Sequence, residues 1–429
     1  MATASGRIKD FGRSVTYRIG GLPIALRAGL TGRSGAADAV IRRAYAHRFW
    51  RAANVTEAAE LLVALFLWGP VLIGLSVVFL TRNGVIVARR NGRSMAHQFA
   101  DHLRLYVASG VLPPWYYIFE LYRCPDAANA RSYIYRWESK TGVLRLFKER
   151  HGYSSALNDK EQFGDHCRRH QIAAAPVLAV ARNGKLALRA HPSEFEMDLF
   201  VKPVCGRGGK GAERWDYTAG RYRNSRGAER NRHQLFEYLM RYSLERPLLM
   251  QARLKNHAAL DRLNNGALST VRVLTCLDER GQPELVGAAM RMAIGDNRVV
   301  DNLHAGGIAA AVELETGMLG PASDLGADAS LGWIDAHPDS GAPITGTILP
   351  MWDEVRDFAI RVHRAFGDRV VVGWDIAITP DGPVLVEGNG SPDLDIMQRF
   401  VRHGLMATRL GALLAFHVSQ LGADQLQLA

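Results

Sequence analysis

The amino-acid sequence predicts an α+β protein, with lobes of mixed strands and helices set behind a helical N-terminal region. Three observations carry this. Residues 198–211, Asp-Leu-Phe-Val-Lys-Pro-Val-Cys-Gly-Arg-Gly-Gly-Lys-Gly, read as a strand bearing Lys202 that runs into a loop with four glycines. Residues 371–393 read as two apolar strands joined by a tight turn, with two carboxylates and an amide around its open end. Residues 61–80 form an uncharged apolar run of twenty residues. A chain of 429 residues has room for two or three domains with sizeable cores. Its 48% hydrophobic and 22% charged residues are a globular, not a disordered, composition.

From the N-terminus, residues 1–57 read as a basic arm. They hold ten Lys/Arg and three Asp/Glu, which places +7 of the formal +11 charge there. Little periodicity is sustained up to Ala36, whereas Ala37–Ala53 fits a basic amphipathic helix bearing Arg42, Arg43, Arg48 and Arg51. The segment 58–81 follows as a membrane-associating element. At about 1.5 Å per residue its apolar run reaches about 30 Å, the thickness of a bilayer core. It starts too late for a signal peptide. Pro70 at its midpoint removes a backbone donor, so the sequence predicts a bent span or a re-entrant hairpin, with a buried helix as the alternative. Arginines on both flanks favour a hairpin or interfacial anchor with both ends cytoplasmic. Residues 82–150 read as a mixed, largely helical lobe whose aromatics, Trp115, Tyr116, Tyr117 and Phe119 among them, suit a core better than a site.

Residues 151–400 hold the chemistry. In the loop, Gly206, Gly208, Gly209 and Gly211 let backbone N–H groups approach a phosphate, and Lys210 adds a mobile positive charge. The pattern G-x-G-x-x-G is formally met, but a dinucleotide fold needs a helix directly after it, and Ala212–Tyr217 shows no helical stripe. A P-loop fails as well, because Gly211 stands where Ser or Thr should follow the lysine. A glycine-rich hairpin folding over a nucleotide fits better. In the second motif, strands Trp374–Thr379 and Pro383–Glu387 flank the turn Pro380-Asp381-Gly382. That hairpin brings Asp375 close to Glu387 and Asn389, a hard-oxygen set suited to Mg²⁺ holding phosphates. Arg272 lies in an alternating strand, Ser269–Leu277, where a fixed guanidinium suits a transferring phosphoryl group; a structural ion pair is its alternative. His257 and His304 are candidates for ribose or substrate contact, or for packing. A helix is expected over Arg232–Leu244, and residues 395–420 read as one apolar-striped helix closing the chain, with 401–429 set apart as a C-terminal helix.

Together these segments resemble the ATP-grasp superfamily over about residues 155–400. Asn158-Asp159-Lys160-Glu161-Gln162-Phe163 resembles the helix start that opens its domain, and Ala173–Val177 the strand entry that follows. Lys160 then matches the first nucleotide-contacting lysine and Lys202 the second. Leu248–Leu254 resembles the hinge strand bordering adenine, which makes Met250, Gln251, Arg253 and Leu254 nucleotide contacts; Gln251 stands where D-alanine–D-alanine ligases usually carry Glu. Glu387-Gly388-Asn389 resembles the metal-binding Glu-x-Asn ending, and Asp375 the earlier metal ligand. Asn265–Arg272 and Val300–Gly307 are similar to segments of the sugar-transfer-associated branch, linked to cell-surface polysaccharide biosynthesis, although Ser269 replaces an expected Asn.

The resemblance implies an enzyme that uses ATP and one or two Mg²⁺ ions to turn a carboxylate into an acyl phosphate, which an amine then attacks. Arg272 and Lys202 would act on the transferred group. A kinase acting on a sugar or hydroxyl, and a non-catalytic nucleotide-binding component of a membrane polysaccharide assembly, are the rival readings. Eight lysines among 53 Lys/Arg include Lys160, Lys202 and Lys210 at the places where a compact ammonium suits phosphate. Cys124, Cys167, Cys205 and Cys276 lie far apart without C-x-x-C, which argues against zinc or a disulfide framework and suits a reducing compartment. Small-molecule substrates and a membrane are the expected partners, and nucleic acid is not, since the basic arm carries no recognisable motif. The expected location is the cytoplasmic face of the inner membrane, or the cytoplasm.

Overall fold

A computed structural model describes residues 4–28, 36–153, 156–206 and 208–426. Helical elements come first: α1 Ala4–Ala28, α2 Ala37–Trp50, α3 Val55–Asn91, α4 Met95–Ser109, α5 Pro113–Ile118, a 3₁₀ turn Leu121–Arg123, α6 Ala127–Ser132, a π-helical stretch Trp137–Val143, and α7 Leu144–His151. The parts of the basic arm that are described, 4–28 and 36–57, are therefore largely helical and packed, while 1–3 and 29–35 lie outside the described residues. Val15, Ile19, Leu22 and Ile24 of α1 are buried in an aromatic-rich core with Tyr45, Tyr106, Trp115 and Trp137. The apolar run is one continuous helix and not a re-entrant hairpin. Asn54 caps its start by accepting from the Glu57 N–H at 2.9 Å, Gly92 ends it in a left-handed conformation, and Pro70 sits inside it. Among the described residues α3 is the one helix long and apolar enough to cross a bilayer.

The remainder is two antiparallel sheets with their helices. The first lobe opens with α8 Lys160–Arg169, then β1 Val177–Arg182, β2 Lys185–Leu188, β3 Leu199–Pro203, β4 Glu213–Thr218, β5 Arg221–Asn224, β6 Glu229–Asn231, α9 Arg232–Tyr242 and β7 Leu248–Ala252. Its strands are ordered β2-β1-β7-β3-β4-β5-β6. The second lobe contains β8 Thr270–Leu277, β9 Pro283–Met292, β10 Ile308–Val312, β11 Leu319–Ser323, α10 Trp352–Phe366, β12 Val371–Thr379 and β13 Gly382–Asn389, in sheet order β11-β10-β9-β8-β12-β13. Strands are long and almost continuously apolar at the centre: every residue of β12 is buried. As the turn chemistry of 380–382 requires, β12 and β13 form the antiparallel hairpin.

The chain does not end in one helix. Residues 394–401 form α11 and 409–426 form α12, separated where Arg402 takes a left-handed conformation. That break lets α12 fold back onto α2. Ile41, Ile134, Val143 and Phe147 of the N-terminal region share a core with Leu274, Met397, Leu410 and Leu413. The helical region and the sheet lobes are thus joined by a packed seam.

Candidate functional site

Between the lobes, register decides which side chains meet. Asp375 is the cross-strand partner of Glu387 on one side and of Arg272 on the other. Side chains of directly opposed residues lie on the same face of a sheet, so these three project together into the cleft. Arg272 donates to both oxygens of Asp375, one of them at 3.0 Å through Nη2, and Arg291 of β9 reaches Asp375 Oδ2 at 3.0 Å. Arg291 also pairs with Asp301 at 3.2 Å and donates to the Thr270 hydroxyl at 2.6 Å. Burial alone would push the Asp375 carboxyl up, but the two guanidiniums hold it below the usual carboxylate range. For Asp301 burial wins, and its carboxyl is raised.

The opposite wall supplies cations. Asp159 caps α8, accepting from the N–H groups of Glu161 and Gln162 at 2.8 and 3.1 Å, and this sets Lys160 at the helix start. Lys160 Nζ lies 3.5 Å from Glu387 Oε1 and donates to the Gly206 carbonyl at 3.1 Å. Lys202, next to last on β3, is buried; desolvation lowers its pKa to about 8, Glu387 opposing the fall and Lys160 adding to it. The glycine loop links β3 to β4 and reaches across the cleft. A Cβ on Gly209 would stand 2.9 Å from Val300 of the other lobe, and Gly209 has φ +68°. Lys210 is exposed on this loop.

The hinge strand divides its residues by the period of two. Leu249 is the cross-strand partner of Lys202, and Gln251 of Phe200 two residues earlier, so both share the cleft face. Met250 does not: its side chain is in the first lobe's core with Leu199 and Trp215. The Met250 side chain therefore faces away from the cleft, contrary to the expected nucleotide contact. Gln251 Nε2 donates to the Ala175 carbonyl at 2.8 Å. Arg253 is held by Asp216 at 2.6 Å, Asp198 at 3.2 Å and the Gly266 carbonyl at 3.0 Å, so its guanidinium braces the cleft edge. Leu254 follows, half-buried. His257 Nδ1 accepts from the Ala259 N–H at 3.2 Å, capping a short 3₁₀ turn. His304 sits in another 3₁₀ turn capped by Asn302.

Asp375, Glu387 and Asn389 fit Mg²⁺ by chemistry: an ionised carboxylate, a half-exposed carboxylate and an amide oxygen stand on one hairpin face. Among the described residues no three His, Cys, Asp or Glu side chains gather as a metal cluster. A cation here would draw on Asn389 and on substrate phosphates to complete its shell.

Sequence reasoning missed Arg291, Asp301's link to it, and a cationic pair from the helical region. Lys140 Nζ lies 3.0 Å from Asp393 and also donates to the Ser391 carbonyl; Arg136 pairs with Asp395 at 2.8 Å and with Asp393 at 3.6 Å. These contacts brace the segment directly after Asn389. The one available signal was Arg291 itself, a charge inside the otherwise apolar run Val286–Met292.

Comparison with known proteins places this geometry. The sequence model of the sugar-transfer associated ATP-grasp family matches residues 144–411. No curated protein matches the chain. Solved structures with a similar course of chain include a D-cycloserine synthetase (13% identity, 61% of this chain and 71% of that one, TM-score 0.35). An L-amino acid ligase from Bacillus licheniformis (11%, 61% and 48%, 0.36) and a D-alanine–D-alanine ligase from Bacillus anthracis complexed with ATP (11%, 64% and 69%, 0.38) are others. The chain spans less than half the length of the L-amino acid ligase. Likeness of this degree bears on neither substrate nor reaction.

Proposed function

Given that the chain belongs to the sugar-transfer associated ATP-grasp family, we propose that it is an ATP- and Mg²⁺-dependent ligase. It activates a carboxylate as an acyl phosphate for attack by an amine, in cell-surface polysaccharide or related envelope biosynthesis. One observation supports this most. Lys160 of one lobe pairs with Glu387 of the other, and Lys202 feels the charges of Glu387 and of Asp375, which Arg272 clasps, with the glycine loop lying across the cleft between them. The envelope role rests on the family's description alone.

In this reading Lys160 and Lys202 neutralise the ATP phosphates, and the loop 206–211 excludes water. Gln251 and Leu254 border the base. Asp375, Glu387 and Asn389 would hold Mg²⁺, which supplies positive charge to the β- and γ-phosphates. The substrate carboxylate oxygen attacks the γ-phosphorus and ADP leaves. Arg272 and Arg291, both fixed by Asp375, present guanidiniums to the charge that develops on the transferred group. The amine then attacks the acyl carbon, and phosphate leaves with the bonding pair.

Calorimetry of ATP with Mg²⁺ tests the site, comparing the native chain with Glu387→Gln plus Asn389→Ala. Mg²⁺-dependent binding that the double variant loses is expected; a folded native chain that binds no nucleotide overturns the reading. Hydroxylamine added during turnover then separates the outcomes. A trapped hydroxamate supports the ligase, while ADP release without one moves the assignment to a kinase.

A further inference from the structure

One face of the helix α3 packs against the protein, and most of its apolar run stays outside the core. Ala64, Leu72, Ser76, Leu80 and Val87 are buried among α1, α4 and α5. On the other face Phe66 is 79% exposed, Leu62 and Val78 57%, and Val77 52%. No charged residue stands between Glu60 and Arg82. A contiguous apolar stripe of this length on a protein surface marks an interaction face.

Two aromatic stacks fix what lies beside the stripe. Trp68 stacks on Tyr106 of α4 with centroids 5.9 Å apart, and Phe79 on Tyr117 of α5 at 6.2 Å. Gln98 at the start of α4 donates to the Gly84 carbonyl at 3.0 Å. Accordingly α4 runs antiparallel to α3, and residues 98–106 lie alongside 68–84. That stretch contains Asp101, ion-paired to Arg93 at 2.7 Å and to Arg104 at 3.0 Å, and the Arg104 side chain is 60% exposed. If α3 stood across a bilayer, this charged triad would sit at the depth of the hydrocarbon, where exposed charge is strongly disfavoured. Lying flat, α3 keeps the triad clear of the acyl chains. Its C-terminal half is also bound to the catalytic lobes: Arg82 pairs with Asp328 at 3.0 Å, and Arg90 donates to the carbonyls of Ala329 and Ser330 at 2.6 and 2.7 Å.

Charge selects the occupant. Exposed arginines flank the stripe, with Arg51 before it, Arg82 and Arg89 after it and Arg104 on α4. Two copies meeting face to face would bring these positive flanks together, whereas anionic phospholipid headgroups complement them.

We propose that α3 is an in-plane membrane anchor. Its Leu62–Val78 face dips among the acyl chains of one anionic leaflet and holds the ATP-grasp lobes rigidly at the cytoplasmic surface, where ATP is available. The argument is independent of the ligase reading. Its test is flotation of the full chain with phosphatidylcholine vesicles, with and without phosphatidylglycerol. Binding that phosphatidylglycerol strengthens and salt weakens is expected, with Phe66→Glu plus Val77→Glu reducing it about tenfold. Should that variant fold poorly, quenching of tryptophan fluorescence by brominated acyl chains, greater in Phe66→Trp than in the native chain, gives the same answer. Absence of vesicle binding overturns the proposal. So does a dimer in sedimentation velocity that Phe66→Glu dissolves while vesicles go unbound. Spanning is read by an impermeant maleimide on Val55→Cys and Arg89→Cys, each made without Cys124 and Cys205. Labelling of both from outside the vesicle supports the flat anchor, and protection of one overturns it.

Discussion

Arg272 and Asp375 face each other directly across β8 and β12, and the guanidinium of the first clasps both carboxylate oxygens of the second. The group assigned to the transferring phosphoryl therefore rests on a group assigned to the metal. Desolvation disfavours each charge alone, yet together with Arg291 they keep Asp375 ionised. A cation entering the site must compete with two guanidiniums, and a phosphate entering with it offers those guanidiniums a replacement anion. This predicts opposite effects from one substitution. Arg272→Gln should strengthen binding of Mg²⁺ alone, because Asp375 loses a competing partner, while lowering turnover by about 10²–10³-fold. Calorimetry with metal and steady-state assay read the two effects separately, and a parallel fall of both contradicts the exchange.

Nucleotide affinity should follow the titration of Lys202. Its pKa is depressed to about 8 by burial, and bound phosphate stabilises the ammonium, so binding takes up a proton above that pH. Affinity for ATP with Mg²⁺ should then fall by up to about tenfold per pH unit above 8. Folding stability has the opposite sign: between pH 8 and lysine's ordinary value the unfolded chain binds the extra proton, so this group's contribution to stability rises with pH over that window. Lys202→Arg remains charged throughout and should flatten the affinity profile, whatever it does to the absolute affinity.

At Gly209 the backbone is left-handed and a side chain would meet Val300. Gly209→Ala should strain the closed loop by about 1–2 kcal/mol. The loop can open to relieve that strain, so the expected result is a KM for ATP raised about tenfold with little change in melting temperature. Val300→Ala in the same chain removes the contact but not the backbone strain, and should restore part of the loss.

Much of this site was legible because it lies within local sequence patterns. The turn residues 380–382 fix the hairpin, and the hairpin fixes Asp375 opposite Glu387. Asp159 before Lys160 is an N-cap that can be read from residue type. What was not legible depends on long-range register or on close packing. Arg291 meets Asp375 only because β8 lies between β9 and β12. Met250 was assigned to the nucleotide by position in a motif, whereas strand alternation sends its side chain into the core. In α1, Gly20 and Gly21 are the places where the Trp137 and Tyr45 rings press against the helix, leaving no room for a Cβ. Buried small residues do not contribute to hydrophobic periodicity, so that helix read as an arm.

The seam between the helical region and the catalytic lobes turns on Gln398, which is fully buried. Its Oε1 accepts from the N–H groups of Ile134 at 2.8 Å and Leu405 at 3.0 Å, and its Nε2 donates to the Ile134 carbonyl at 2.8 Å. Each buried backbone group left without a partner costs about 1–3 kcal/mol. Gln398→Leu keeps the volume but orphans three such groups, so a loss of about 3 kcal/mol or more is expected on chemical denaturation. The loss should be local. Ile134 directly precedes the stretch that carries Arg136 and Lys140, the residues bracing Asp393 beside the β12–β13 hairpin. Hydrogen exchange should therefore accelerate first over residues 133–143 and 391–405, ahead of β1–β7. Turnover should fall while ATP binding, which the proposed function assigns to Lys160, Lys202 and the glycine loop, stays near the native value. Equal loss of ATP binding would mean that the seam supports the whole cleft and not only its outer end.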